Sequence, residues 1–314
     1  MNNNGAIFMP PAASTYAHEV DSAYMLINII CVFFFCLVIG LMTYFVIRYR
    51  RRGSADLTPN IAHNTPLEVI WTVIPVILVV IIFFVGFRGY MNQRVAPQNS
   101  MQVNLTARRW MWTFDYGNGV KSNKTLAVPA GKPVQMIMNS EDVIHAFYVP
   151  DFRIKQDVVP NRYTMVWFQA DQPGTHTLFC AEYCGASHSN MMADVVVMPQ
   201  DQFDEWLQSG GVGDIKGLPL AKQGEILYTA KACNTCHSLD GSASTGPTWK
   251  GLFGHNVSFT DGSTAQVDSN YIRESIMTPQ ARIVQGFSPV MPTYQGQLDD
   301  AQITAIIEYI KTLK

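Results

Sequence analysis

The chain has 314 residues, room for two or three domains, with 48% hydrophobic and only 15% charged residues. That balance leans toward membrane attachment, while a net charge of −2 and a pI near 6.4 carry no footprint for binding nucleic acid. The six cysteines fall into three close pairs, and neither pair outside the apolar N-terminal run has the separation of a loop-closing disulfide framework.

Met1 to Val20 holds no Lys or Arg, so it lacks the basic start of a cleaved signal peptide. Ala23 to Ile47 is free of charge. As a helix that run reaches about 37 Å, enough to cross a bilayer with some tilt. Arg48, Arg50, Arg51 and Arg52 follow at once. Basic residues stay on the cytoplasmic side, so the first span runs from outside to inside. A second apolar run, about 69–87, has Pro75 near its start and Arg88 after it. The expectation for residues 1–95 is therefore a transmembrane α-helical hairpin with spans near 23–47 and 69–87. Both chain ends then lie outside, and everything beyond about residue 90 is periplasmic or extracellular. Cys31 and Cys36 lie within the first span as packing residues. Glu68 stands at the inner end of the second span. A solvated cap is the ordinary role there, and a place where protons enter is the functional one.

From 96 to about 206 the pattern changes to short β-forming runs at Met101–Thr106, Val134–Met138, Tyr163–Phe168 and Ala193–Met198. Breaks at Pro129, Pro160 and Pro173 separate them, which predicts an antiparallel β-sandwich or Greek-key barrel. Trp110, Trp112, Phe114 and Tyr116 are two apart, so one strand would place all four on one face. Most of that stripe is expected to be core.

The densest chemistry lies in Cys180 to Met191, which holds Cys180, Cys184, His188 and Met191, with Glu182 between the thiols. Soft sulfur and borderline nitrogen donors suit copper rather than calcium or magnesium. Structural zinc is the competing reading, weakened by the crowding of both thiols into one loop and by Met191. His145, thirty-five residues before Cys180, is the remaining ligand candidate. His176 falls on a strand too close to Cys180 to share its loop.

Gly210, Gly211, Gly213, Gly217 and Pro219 mark residues 207–219 as a flexible linker. A helix over Ala221–Lys231 then leads into Cys233, Cys236 and His237. That spacing is the c-type heme attachment pattern, in which two thiols bond the vinyl groups and the adjacent His binds iron. A thioredoxin-like or zinc motif would not need His237. The sixth ligand is expected to be Met291, followed by Pro292 in a loop before the last helix. Met277, inside a helical run over 270–277, is the packing alternative. Ile303, Ile306, Ile307 and Ile310 give the run 299–313 one apolar face. Residues 220–314 thus read as a small all-α cytochrome. From 218 to the end, seven Lys or Arg face eight Asp or Glu, so no strong field exists for docking a soluble donor. Tethering supplies effective concentration instead.

These segments together resemble subunit II of the heme-copper cytochrome c oxidases. The resemblance runs over about residues 20–205 and rests on Trp110 to Phe114, the His145 segment, Cys180 to Met191, and two spans with Glu68 to Pro75 in the same order. The C-terminal part resembles a class I cytochrome c domain fused to that subunit, a caa-type layout. The resemblance implies a cupredoxin-like domain with a binuclear copper centre, CuA. Cys180 and Cys184 would bridge both coppers, His145 and Met191 would complete one, and His188 with the Glu182 carbonyl the other. The Glu182 side chain would hold a magnesium ion shared with the catalytic subunit. Trp110 would be where electrons enter the copper domain, and Glu68 would stand at the mouth of a proton channel. Two departures are visible: Phe147 where Trp is common, and Asn161 where Gly is usual. Asn tolerates the left-handed conformation, so that turn can survive.

The function so implied is electron input to a respiratory terminal oxidase of a bacterial inner membrane. Covalent heme c would be reduced first, then CuA, then heme in a partner chain that reduces O2 and translocates protons. Partners would be catalytic subunit I and other oxidase subunits, lipid, and cytochrome c or a membrane-bound donor complex, with no nucleic acid. Competing assignments are a CuA-bearing nitrous or nitric oxide reductase component, and a copper-delivery or structural zinc protein with an accessory cytochrome. The absence of propeller repeats disfavours the nitrous oxide reductase.

Overall fold

The computed structural model describes residues 9–53, 62–212, 215 and 217–314. Part of the N-terminal segment and residues 213, 214 and 216 of the expected linker lie outside the described residues.

Residues up to Val95 form one unit, built on α1 (Thr15–Arg48) and α2 (Thr65–Arg94). Ser14 starts α1, its hydroxyl accepting from the Ala17 N–H at 3.2 Å. The helices have 34 and 30 residues, hence lengths of about 51 and 45 Å against a hydrocarbon layer of about 30 Å. Each therefore carries polar turns beyond its apolar run. At one end those turns are tied: the Tyr16 hydroxyl donates to the Asn92 carbonyl at 2.7 Å, and Asn92 Nδ2 donates to Glu19 at 3.2 Å. Polar ties matter here because lipid gives apolar helix faces little reason to prefer each other. At the other end Asn64 caps α2, accepting from the Leu67 N–H at 3.3 Å, while its own N–H donates to Glu68 at 3.1 Å. Glu68 thus closes a reciprocal cap in the first turn.

Residues 96–314 form the second unit. Its first part is a β-sandwich of two five-stranded sheets. In chain order the strands are β1 (Met101–Arg108), β2 (Met111–Asp115), β3 (Lys121–Ser122), β4 (Thr125–Pro129) and β5 (Pro133–Ser140). They continue as β6 (His145–Val149), β7 (Ile154–Val158), β8 (Thr164–Gln169), β9 (Gly174–Cys180) and β10 (Met192–Met198). One sheet runs β3-β2-β1-β5-β8 and the other β4-β10-β9-β6-β7. Most neighbours are antiparallel, but β1 with β5 and β10 with β4 run parallel. Period-two alternation turns Leu105, Trp112, Phe114, Met136, Met138, Phe168 and Leu178 into the shared core. Phe147 is fully buried there and packs edge-on to Trp112 at 6.4 Å. Asn161 adopts φ 59, the left-handed turn its side chain tolerates. The aromatic stripe divides. Trp112 and Phe114 are core, Tyr116 packs on Trp206 of α3 (Gln200–Gln208) at 5.2 Å, and Trp110 falls outside the strand.

The C-terminal part is helical, with α4 (Leu220–Ala230), α5 (Ser269–Met277) and α6 (Asp300–Thr312), plus a small hairpin of β11 (Asn256–Ser258) and β12 (Thr264–Gln266). Asp299 and Gln302 form a capping box that starts α6. Leu227, Ile272, Ile276, Ile303, Ile306 and Ile310 close its core. Polar contacts join this part to the sandwich. Lys231 Nζ donates to the Lys121 carbonyl at 3.1 Å, Asn123 Nδ2 donates to Gln297 at 3.2 Å, and the Ser187 and Thr245 hydroxyls meet at 3.3 Å.

Candidate metal centre and heme cleft

The sheet brings the first pair of candidate ligands together. His145 opens β6 and Cys180 ends β9, and those strands pair with Phe147 opposite Cys180. The Ala181 N–H donates to the Ala146 carbonyl at 3.1 Å, so the loop leaves β9 beside His145. The loop then folds back through a short helical turn at His188–Asn190 before β10.

Cys180 Sγ lies 3.8 Å from His145 Nδ1, 3.8 Å from Cys184 Sγ and 3.2 Å from the Glu182 carbonyl oxygen. Cys184 Sγ lies 3.5 Å from His188 Nδ1 and 3.8 Å from Met191 Sδ. Donors around a shared ion at about 2.0–2.3 Å stand roughly 3.3–3.8 Å apart, so these spacings suit metal. His145, Met191 and both thiols are buried, while the Glu182 side chain is exposed. Three sulfurs with two imidazoles and a carbonyl exceed what a tetrahedral zinc site uses and match soft-metal chemistry.

Burial works to raise the Cys180 thiol, but its interactions with His145 and the neighbouring backbone bring it below its ordinary value. Cys184 is pushed up to about 12 by burial and by the charge on Cys180. Behind His145, Nε2 donates to Asp142 Oδ1 at 2.9 Å. Burial opposes ionisation of Asp142, yet hydrogen bonds from the Arg109 N–H, His145 and the Val143 N–H hold its carboxyl at about 2. Such partners fix ring orientation and ligand basicity. The two tryptophans clamp the loop: Trp112 Nε1 donates to the Met191 carbonyl and Trp110 Nε1 to the Cys184 carbonyl, both at 3.3 Å. His176 stands apart, bonded to Asp151 at 2.7 Å.

The second site is a cleft in the helical part, walled mostly by apolar side chains. Cys233, Cys236, His237 and Met291 all line it. Met277 and Met291 both pack against the helical core, but Met277 is not among the residues that line the cleft. His237 Nδ1 donates to the Pro247 carbonyl at 2.7 Å, which leaves Nε2 for a metal. Gly246 permits this approach, because a β-carbon there would come within 2.8 Å of His237 Cε1. An apolar cleft with two free thiols, a braced imidazole and a thioether fits a covalently held heme.

One wall of the cleft comes from the sandwich: Arg108, Arg109, Trp110 and Met111. Tyr294, also on the wall, donates to the Lys231 carbonyl at 2.8 Å and reaches Met111 Sδ at 4.0 Å. Sequence reasoning missed Arg109, Met111, Asp142 and Tyr294. Only Asp142, three residues before His145, carried a local signal.

A pair of membrane-length helices, a soft-donor centre on a β-sandwich and a cleft lined by the c-type heme attachment pattern define a membrane-attached electron-transfer protein. Three families match the chain: the transmembrane domain of cytochrome c oxidase subunit II over 2–88, its periplasmic domain over 119–198, and cytochrome c over 221–314. The cytochrome c oxidase subunit 2 of Alkalihalophilus pseudofirmus is 29% identical over 309 residues, covering 92% of this chain and 86% of that one. The corresponding Synechocystis subunit is 30% identical over 260 residues, covering 68% and 78%. That of a Bacillus species is 29% identical over 286 residues, covering 84% and 79%. The chain belongs to the cytochrome c oxidase subunit 2 family, with a fused C-terminal cytochrome c domain. It is a membrane protein and an electron-input subunit that works with other oxidase subunits; its domains suggest copper and heme c.

Proposed function

We propose that this subunit takes electrons at its cytochrome domain and relays them through its copper domain to a catalytic partner chain. When bound, heme c and a binuclear CuA centre would supply one-electron uptake and release in series, ahead of heme in subunit I where O2 is reduced and protons are translocated. The observation that carries the reading is the position of Trp110, which lines the heme cleft and donates to the carbonyl of Cys184.

In this reading Cys233, Cys236, His237 and Met291 hold heme. Cys180, Cys184, His145, His188, Met191 and the Glu182 carbonyl hold the copper pair. The exposed Glu182 carboxylate is free to share a magnesium ion with the partner. Glu68, in the first turn of α2 and after the basic Arg48–Arg52 stretch in the chain, would serve proton uptake from the cytoplasmic side of a bacterial inner membrane. The domains from residue 96 onward would then face the periplasm or exterior, where cytochrome c or a membrane-bound complex delivers electrons.

The deciding experiment replaces Met291 with Leu in the intact complex and follows both chromophores after rapid mixing with donor. Loss of a thioether ligand lowers the heme potential, so copper reduction should slow at least tenfold. An unchanged copper rate would remove the cytochrome domain from the path. Paramagnetic resonance of the resting complex separates metals: a mixed-valence copper pair supports the reading, and zinc or a single copper sinks it.

A pH dependence follows from the thiols. Metal binding needs thiolates and so releases protons. Cys184, pushed up by burial and by the charge on Cys180, gives up its proton to copper across the neutral range, so affinity should rise with pH. Toward acid the protons taken up by Cys180 and His145 must be displaced as well, so affinity should fall more steeply per unit as pH drops. Competition titrations of the apo protein between pH 6 and 9 would show the break. A single slope throughout would contradict it.

A further inference from the structure

Arg109 lies where the two sites meet. Its backbone N–H and its Nε both donate to Asp142 Oδ2, at 2.8 and 3.2 Å. The other oxygen of that carboxylate accepts from Nε2 of His145 at 2.9 Å. Arg109 also lines the heme cleft, one residue before Trp110. A cation on the heme wall is therefore hydrogen-bonded to the anion that braces a candidate copper ligand. Arg108 has no such link: its guanidinium is 4.0 Å from Glu141, a residue in contact with none of the candidate ligands in the hydrogen bonds described above.

We propose that Arg109 is a positioning residue that sets the redox potentials of both centres together, from the wall of the heme cleft on one side and through Asp142 and His145 on the other. The proposal rests on the assignment of the two sites given above. An oxidised centre carries one more positive charge than a reduced one, so a fixed cation nearby favours the reduced state. Arg109 also competes with His145 for the Asp142 carboxylate. A carboxylate shared with a guanidinium draws less on the imidazole N–H, which lowers the basicity of the ring toward metal. Both effects raise the copper potential. Without Arg109 the Asp142 charge is uncompensated, His145 becomes the stronger donor, and oxidised copper is favoured. The heme loses a cation from its wall at the same time. The two potentials should move in the same direction from a single substitution, although the residue touches neither thiol nor thioether of either site in the hydrogen bonds described.

The test is a redox titration of the intact complex, reading heme by its visible band and copper by its paramagnetic resonance and near-infrared absorption. Arg109→Gln should lower both midpoint potentials. Arg109→Lys, which keeps the charge, should restore the greater part of both shifts. Asp142→Asn should raise the copper potential, and in that background Arg109→Gln should no longer lower it, a non-additive cycle that a purely structural role would not give. A copper potential unmoved by Arg109→Gln overturns the proposal, as does a Lys variant that behaves like Gln, or an Arg109 effect that persists undiminished without the Asp142 carboxylate. A wild-type complex with no paired-copper or no heme c signal overturns the site assignments themselves, and is distinguishable because it appears before any substitution is made.

Discussion

Cys184→Ser leaves the complex with its heme c but without a paired-copper spectrum, and oxygen uptake with the natural donor falls by more than about 100-fold. Cys184 is the centre of the candidate metal site: its sulfur meets Cys180 Sγ, His188 Nδ1 and Met191 Sδ, all within 3.8 Å. Only Cys180 touches as many, meeting His145 Nδ1, Cys184 Sγ and the Glu182 carbonyl oxygen. Serine offers a hard oxygen that stays protonated and cannot bridge two soft ions as a thiolate does. Loss of an outer hydrogen-bond partner alone costs about 10- to 100-fold in affinity or activity, so loss of the central thiol sits above that range. The fold should tolerate the change, since serine is smaller and the core beneath is formed by Trp112 and Phe147. Resonance spectra and oxygen uptake of the purified complex check the prediction; a retained copper-pair signal would contradict it.

Gly224→Ala acts on stability instead. Gly224 lies on α4 where it crosses α6, and a β-carbon there would sit 2.1 Å from the Ala305 carbonyl oxygen and 2.6 Å from Tyr309 Cβ. Neither obstacle is the end of a flexible side chain. The helices must part, which opens the contact that carries Leu227, Ile306 and Ile310. Overpacking typically costs about 1–3 kcal/mol, and backbone obstacles place this case at about 3 kcal/mol or more. Against a domain stability of about 5–15 kcal/mol, that is a large share. Thermal unfolding followed at the heme band should shift down by more than about 10 °C relative to wild type, since 1 kcal/mol moves a domain of this size by about 4–8 °C. A melting temperature within a degree or two of wild type would show that the helices cross differently. The copper spectrum should survive.

What could be read from residue order was what is local in the chain. Cys233, Cys236 and His237 sit within five residues, and Cys180 to Met191 within twelve, so their chemistry is visible before any fold is known. The apolar runs of α1 and α2 are local in the same sense. Trp110 is the instructive failure. Spacing by two placed it on a face with Trp112, but β2 begins at Met111, so the ring leaves the stripe and reaches the Cys184 carbonyl. No periodicity argument reports where a strand starts to within one residue. Met111, Tyr294 and Arg109 were invisible for a different reason. They gain meaning only when residues more than a hundred positions apart share a wall, as Met111 and Tyr294 do. The parallel pairing of β1 with β5 was hidden likewise, because pairing direction depends on how connections cross, which side-chain alternation does not encode.

The two braced histidines have one more consequence. Asp142 and the Pro247 carbonyl can only accept, so the ring hydrogen of His145 is on Nε2 and that of His237 on Nδ1. The rings are fixed in opposite tautomers, one presenting its δ nitrogen and the other its ε nitrogen. Stripped of metal, they should also part ways toward acid. His145 keeps a carboxylate at its back, and although burial works against the imidazolium, Cys180 and Asp142 raise its affinity for a proton. His237 has only a neutral carbonyl and a burial that disfavours charge. A proton is thus a competitor for the first ring and hardly one for the second, and nitrogen chemical shifts of the two imidazoles would distinguish them.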